Sequence, residues 1–340
     1  LGMEKEQKQK VLTVTVPSYN VEAYLEECLE SFVRGDALED VEVLVVNDGS
    51  TDGTADIARR YEEKYPQTFH LITKENGGHG STINTGVANA RGRYFKVVDG
   101  DDWVDSGSFV RLVEYLKGNP ADVVASNYTW IDHATKRPTK RQEYPYENIE
   151  YGRVYPFADI VDKVFIDMHA MTIRTDLIRK ANMPIDEHTF YVDMEFVAFP
   201  IPYVETVAFF EDAVYQYRLG LPGQSMSIQK MQKNMKNHMR VLMRLNRYYH
   251  QVEEGLSEDK KTYINKVVAS MLTSQIKIYV SFPLGSGMRR EAMRLEAYFY
   301  KHNREAFDLV KNPAVLLMRK TRYFAFPLVV AAFKGRRSSF

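Results

Sequence analysis

The sequence predicts an α/β fold, a mostly parallel sheet flanked by helices and followed by an α-helical C-terminal region. Three observations carry that expectation. Over the first hundred residues, short and nearly continuous apolar runs (11–16, 41–46, 69–73 and 94–98) alternate with amphipathic segments, as they do when strands are buried on both faces. The Gly-, Asn- and Asp-rich stretches follow the ends of those runs. From about Ser227 the pattern changes to long stretches rich in Met, Lys and Leu, reaching Tyr249 and resuming over 259–280.

Taken in order, residues 11–16 form a β-rich run expected to stop at Pro17, after which Asn20 is placed to cap a helix with the apolar stripe Val21, Leu25, Cys28, Leu29 and Phe32. The run 41–46 ends in Asn47-Asp48-Gly49-Ser50-Thr51-Asp52-Gly53, where Ser50 or Thr51 is expected to cap a helix carrying Ile57, Ala58 and Tyr61. A third strand, 69–73, leads through Asn76-Gly77-Gly78-His79-Gly80 into a helix ending near Arg91-Gly92, and the strand 94–98 delivers Asp99-Gly100-Asp101-Asp102. Beyond Pro120, residues 123–126 read as a strand, 135–146 as a polar basic loop, 165–173 as a strand containing His169, and 207–210 and 214–217 as two strand-like runs. Met231, Met235, Met239, Leu242 and Leu245 have the spacing of a core or interface stripe. Gly220, Pro222 and Gly223 interrupt the pattern, which gives a tail at 1–10, an α/β unit at 11–222 and a helical region at 223–340.

Composition narrows the function. The 340 residues suffice for one large domain or two. Lys+Arg and Asp+Glu both number 45, a balance that argues against a nucleic-acid-coating protein. A single cysteine, Cys28, excludes an internal disulfide framework, suits a reducing compartment and sits where a buried apolar residue belongs. Leu1-Gly2-Met3 followed by a charged stretch does not read as a signal peptide, so none is expected, and no apolar run reaches the roughly 20 residues of a membrane-spanning helix. The expected location is the cytoplasm.

In a parallel sheet ligands bind beyond the carboxyl ends of the strands, so the loops 17–20, 47–53, 76–80 and 99–102 should converge on one crevice. Alone, Asp99-Gly100-Asp101-Asp102 is either a solvated acidic turn or a seat for a divalent cation between carboxylates. Tyr19 is either a half-buried aromatic or a platform for a flat base, and Asp48 can accept hydrogen bonds from a base or a ribose. No G-x-G-x-x-G follows the first strand, and Asn76–Gly80 lacks the Gly-Lys-Ser/Thr ending of a P-loop; His79 reads as a local hydrogen-bonding residue.

Taken together, Pro17-x-Tyr19-Asn20, Val46-Asn47-Asp48-Gly49-Ser50-Thr51-Asp52 and Asp99-x-Asp101-Asp102-Trp103 resemble the family-2 glycosyltransferases of the GT-A fold, in order and spacing, over about residues 11–220. The resemblance implies an inverting, metal-dependent, bacterial cell-envelope type of enzyme that takes a nucleotide-sugar donor, expected to be UDP-linked. It implies that Pro17, Tyr19, Asn20 and Asp48 hold the base end of the donor, with Asn84 and Gly100 in the same region. By the same resemblance Asp99 faces the ribose and the metal, Asp101 binds a Mg²⁺ or Mn²⁺ ion bridging the diphosphate, and Asp102 supports them. Asp193, in Phe190-Tyr191-Val192-Asp193-Met194-Glu195-Phe196, matches the catalytic base for the acceptor hydroxyl, although Val192 replaces the usual preceding acid. Read without the resemblance, Asp193 is a helix N-terminal carboxylate and Glu195 a surface residue or acceptor contact.

Ile83 stands where many relatives carry an arginine, leaving Lys74 or Arg218 as candidates for the lost phosphate contact. His169 is an acceptor or phosphate contact, or an interior histidine. Gln216-Tyr217-Arg218-Leu219 is not the motif of processive synthases, so single-sugar addition to a saccharide or lipid-linked envelope acceptor is expected. A nucleotidyltransferase would need a Gly-rich basic signature after the first strand, and an inactive binding relative need not keep Asp101 and Asp193. Residues 309–340 contain no acid but hold Lys311, Arg319, Lys320, Arg322, Lys334, Arg336 and Arg337 around the apolar run 323–333. That tail is either an interfacial anchor on the anionic inner face of the plasma membrane or a helix docked on the protein.

Overall fold

A computed structural model describes residues 9–34, 36–139, 146, 148–221 and 227–335. The chain divides into two compact units, Leu1–Leu221 and Pro222–Phe340.

In the first unit, β1 (Leu12–Ser18), α1 (Glu22–Val33), β2 (Val41–Asn47), α2 (Thr54–Lys64), β3 (Phe69–Thr73), α3 (His79–Asn89) and β4 (Tyr94–Val97) follow one another. They are succeeded by β5 (Trp103–Val104), α4 (Ser106–Gly118), β6 (Val123–Asp132), β7 (Val154–Pro156), β8 (Met171–Arg174), α5 (Thr175–Ala181), α6 (Asp193–Ala198) and β9 (Thr206–Leu219). All nine strands join one sheet in the order β3-β2-β1-β4-β8-β6-β9-β5, with β7 also on β9. Strands β1 to β4, β6 and β9 run one way, and β5, β7 and β8 run against them.

Every residue of β1 is buried, which explains its apolar and β-branched composition. Leu12, Val14 and Val16 face a core shared with Leu25, Cys28, Leu29 and Phe32 of α1 and Phe109, Leu112 and Leu116 of α4. Thr13 and Thr15 alternate to the other side, under α3. There Gly86 comes so close that a β-carbon on it would stand 1.9 Å from Thr15 Oγ1, so α3 lies directly on the strand that leads into the site.

Several expectations are corrected. β1 continues through Pro17, whose carbonyl accepts a hydrogen bond from Gly100 N–H at 3.0 Å. Asn20 does not cap α1: it adopts a φ of 53°, and its side-chain oxygen accepts from Thr51 N–H at 2.9 Å. Neither Ser50 nor Thr51 caps α2. The two helix starts serve each other: Asp52 accepts from Glu22 N–H, Thr54 Oγ1 from Val21 N–H, and Glu22 from Gly53 N–H. Sequence-local capping rules cannot see donors supplied across a gap of some thirty residues. Residues 165–170 are irregular, and β8 begins only at Met171, so His169 sits in a turn. The two runs at 207–217 are one strand, interrupted by a register shift against Asn127 that breaks the alternation. Of the basic loop at 135–146, residues 140–145 lie outside the described residues.

The second unit holds α7 (Ile228–Lys233), α8 (Met235–Val252), α9 (Glu258–Ser281), α10 (Met288–His302), α11 (Arg304–Asp308), α12 (Pro313–Lys320) and α13 (Phe326–Gly335). Its core is built from Leu242 and Leu245 of α8, Tyr263, Val267 and Leu272 of α9 and Phe299 of α10, while Met231, Met235 and Met239 are only half-buried. Arg319 of α12 pairs with the buried Glu296 of α10, and Tyr323, Phe326 and Val330 are buried, so part of the tail docks on this unit.

Candidate active site

The carboxyl ends of β1, β2 and β4 meet. Asp48 N–H donates to Ser18 O at 2.9 Å, and Gly100 N–H to Pro17 O, which ties the acidic turn to the end of β1. Space there is tight: a β-carbon on Gly100 would stand 2.9 Å from that same carbonyl.

Asp99 is half-buried and linked on both sides. His79 Nε2 lies 2.7 Å from its Oδ1, and the Tyr215 hydroxyl 3.4 Å from its Oδ2. Burial would raise the Asp99 carboxyl, but the charges of His79 and His169 hold it below its ordinary value. For His79 the balance is the reverse, since burial opposes its charge and Asp99 overrides it, raising the imidazole. Asp101 is pushed up to about 6 by burial and then by the charge of Asp99. Asp102 is buried, and burial with its two acidic neighbours raises it well above the usual carboxylate range. Its oxygens accept from Tyr215 Oη at 2.5 Å and from Arg218 N–H at 2.7 Å, so it supports the turn from beneath.

Asp193 is the first residue of α6, and its carboxyl is coupled electrostatically to the same group. Burial raises its carboxyl, Asp99 adds to that, and the His169 and His79 charges pull it down. His169 is the second imidazole of the cluster. Burial alone would lower it, but Asp167, 3.6 Å from its Nδ1, together with Asp99 and Asp102, raises it to about 9. The Tyr128 hydroxyl donates to the other Asp167 oxygen at 2.9 Å. Beneath the turn, the fully buried Lys96 of β4 donates to His169 O at 2.7 Å and to Met171 O at 3.3 Å.

The other expected residues have separate places. Tyr19 stands at the rim, 52 % exposed. Asp48, 2 % exposed, spends its carboxylate on the glycine loop, accepting from Gly77 N–H, Gly78 N–H and Lys74 Nζ. Lys74 is thereby paired with Asp48. Asn84 clamps both backbone groups of Ile185. Glu195 is fully buried, not on the surface, and accepts from Asp186 N–H at 2.8 Å. These two residues fasten the segment that leads to Asp193 onto α3. Arg218 is fully buried as well: its Nε donates to Asp101 O at 2.6 Å, its guanidinium pairs with Glu27 at 2.7 Å, and Trp103 packs on it at 4.5 Å. It braces the acidic turn from behind. Lys96, Asp167 and Tyr215 escaped the sequence reading, although the repeated Tyr-x-Trp (128–130) and Tyr-x-Tyr (215–217) alternation was a signal for the last.

Among the described residues no group of three or more His, Cys, Asp or Glu side chains is arranged to hold a metal ion. Two half-buried carboxylates, Asp99 and Asp101, still fit a Mg²⁺ or Mn²⁺ ion, because such hard cations are commonly held by one or two carboxylates plus the substrate's phosphates. Burial first, and then the neighbouring Asp99 charge, raises the Asp101 carboxyl, a cost that a cation between the two carboxylates would offset.

The strand order, with an acidic turn closing the fourth strand and a second carboxylate facing it, is a GT-A arrangement. Residues 13–180 match the sequence model of glycosyl transferase family 2. The chain belongs to that family, which sets the nucleotidyltransferase alternative aside. It is 32% identical to the uncharacterized glycosyltransferase EpsJ of Bacillus subtilis (strain 168) over 61% of each chain. It is 28% identical to the minor teichoic acid biosynthesis protein GgaB of the same organism over 66% of this chain and 25% of that protein. The matches thus span about three-fifths of one relative and a quarter of the other. Among solved structures, S. aureus TarS 1-349 in complex with UDP-GlcNAc shares the fold, with a TM-score of 0.65 at 17% identity over 96% of this chain and 92% of that one.

Proposed function

We propose that this protein moves one sugar from a UDP-linked donor to a hydroxyl of a saccharide or glycolipid of the cell envelope, with inversion at the anomeric carbon. The observation that carries the reading is the Asp99–Asp102 turn, held by His79 at 2.7 Å, with Asp193 electrostatically coupled to Asp99 and to two imidazoles. The shared fold with TarS supports the UDP link, and the likeness to GgaB supports an envelope acceptor.

Asp193 takes the proton of the acceptor hydroxyl. The hydroxyl oxygen bonds to the anomeric carbon as the bond to the diphosphate oxygen breaks, and the diphosphate leaves with that electron pair. A carboxyl raised by burial is better matched to this task than a fully solvated one. Asp99 and Asp101 would hold a Mg²⁺ or Mn²⁺ ion, which when bound offsets the charge growing on the diphosphate. Pro17, Gly100 and Tyr19 line the donor end, and Asp48 shapes it by holding the glycine loop.

We also assign the protein to the inner face of an anionic membrane. No described helix is long and apolar enough to cross a membrane. The α12–α13 segment nevertheless exposes Leu316 (43%), Leu317 (41%), Phe324 (78%) and Leu328 (67%) beside Lys320, Arg322 and Lys334, in a stretch without acids.

A thermal-shift screen of UDP-glucose, UDP-galactose and UDP-GlcNAc with and without Mn²⁺ tests the donor reading, because a ligand that binds the folded state raises its melting temperature. Asp193→Asn should keep that shift and lose about 100- to 10,000-fold in transfer. Full transfer by this variant would remove Asp193 from the role of base.

A further inference from the structure

The parallel pairing of β6 with β9 sets Tyr128 opposite Tyr215 and Trp130 opposite Tyr217. Side chains alternate along a strand, so these four rings share one face of the sheet. That face is the one of the acidic turn, because the Tyr215 hydroxyl reaches both Asp99 and Asp102. The rings form a continuous array. Tyr128 and Trp130 lie 6.4 Å apart at 23°, Tyr215 and Tyr217 6.4 Å apart at 28°, and Trp130 and Tyr217 5.9 Å apart at 43°. His169 stands edge-on between Tyr215 and Tyr217, 4.8 Å from each.

Burial grades along this array. Tyr215 is fully buried beside the carboxylates, whereas Tyr128, Trp130 and Tyr217 are half-buried. Tyr217 is linked to the acidic turn through its neighbours, His169 at 4.8 Å and Tyr215 at 6.4 Å. The register shift near Asn127 is what brings this about: Asn127 Nδ2 donates to Glu211 O at 2.6 Å, and after the shift the aromatic positions of the two strands coincide.

An aromatic face next to carboxylates suits one class of ligand, a sugar ring, whose C–H face packs on the ring while its hydroxyls donate to the acids. Of the cations near this face, Lys96 is buried against two carbonyls, Arg218 is committed to Asp101 and Glu27, and His169 is held beside Asp167. We infer that Trp130 and Tyr217 form the subsite for a pyranose ring of the acceptor, so that the acceptor presents a saccharide to Asp193. The inference rests on the glycosyltransferase reading above.

The test uses the full chain with Mn²⁺, the UDP-sugar found by thermal shift, and four acceptor probes: p-nitrophenyl β-D-glucoside, β-D-galactoside and β-D-N-acetylglucosaminide, and ribitol 5-phosphate. At least one pyranoside should be glycosylated. Trp130→Ala should raise KM for it about tenfold, with kcat, donor KM and slow donor hydrolysis nearly unchanged. Trp130→Phe, which keeps a ring, should recover most of the loss and guards against misfolding of the alanine variant. The chain has two tryptophans, and saturating pyranoside should shift the Trp130 indole N–H resonance and leave that of Trp103 in place. An unchanged acceptor KM in Trp130→Ala, or transfer to ribitol 5-phosphate and to none of the pyranosides, overturns the subsite. Wild-type protein that neither binds nor hydrolyses any UDP-sugar overturns the UDP-donor reading above and this inference with it.

Discussion

Replacing Lys96 by methionine tests how the site is supported. Lys96 is fully buried in β4, and burial lowers its ammonium from the ordinary 10.5 to about 7, with Asp167 offsetting a part. Between those two values the unfolded chain binds a proton that the folded chain does not. Stability therefore rises with pH through that window, and it is lost again as pH falls from 10.5 toward 7. At about 1.4 kcal/mol per pH unit, keeping this lysine costs the fold on the order of 4 to 5 kcal/mol below pH 7 and almost nothing at pH 10.5. Lys96→Met abolishes this dependence but also leaves His169 O and Met171 O without their donor, a loss of about 1–3 kcal/mol. Urea unfolding of both proteins from pH 6 to pH 10, taken as a difference, cancels every other titrating group. The variant should be the more stable at pH 6 and the less stable at pH 10. A difference that does not vary with pH would refute the reasoning, because Lys96 would then be equally charged in both states.

Three further outcomes follow from the same geometry. Gly86→Ala should destabilise the first unit by about 1–3 kcal/mol, since the new methyl has no room against Thr15; urea unfolding that matches wild type would mean that α3 does not lie so close to β1. His169 should titrate near pH 9 by imidazole NMR, and Asp167→Asn should bring the midpoint down by about one pH unit or more as the favourable charge is lost. A wild-type midpoint below 7 would remove the imidazolium from the site. Phe324→Glu/Leu328→Glu should abolish flotation with phosphatidylglycerol vesicles without changing donor hydrolysis, and unaltered flotation would end the membrane assignment.

Much of the frame was legible in the chain. The runs at 11–16, 41–46 and 94–98 became β1, β2 and β4 because strands buried on both faces must be apolar almost throughout, and 69–73 became β3, a half-buried strand at the sheet edge. The single cysteine at an apolar position is fully buried, as its spacing implies. What misled were residues whose partners lie far away in sequence. Asn20 looked like a cap and instead accepts from Thr51, and Arg218 looked like a phosphate contact and instead braces the acidic turn. Glu195, read as a surface residue or an acceptor contact, is buried at Asp186 N–H.

The sequence alone determined the α/β class and the chain order of the four leading strands, because those depend on local periodicity, and a resemblance in short motifs pointed to Asp99, Asp101 and Asp193. Only the tertiary structure decided which of the polar residues near the acidic turn are held in support and which face the crevice. It also decided that Tyr128, Trp130, Tyr215 and Tyr217 come together as one wall. Both outcomes hang on strand register and on burial. A side chain's hydrogen-bonding capacity is claimed by whichever donor or acceptor the fold brings to it, and a one-residue shift in register moves every side chain of a strand to the other face.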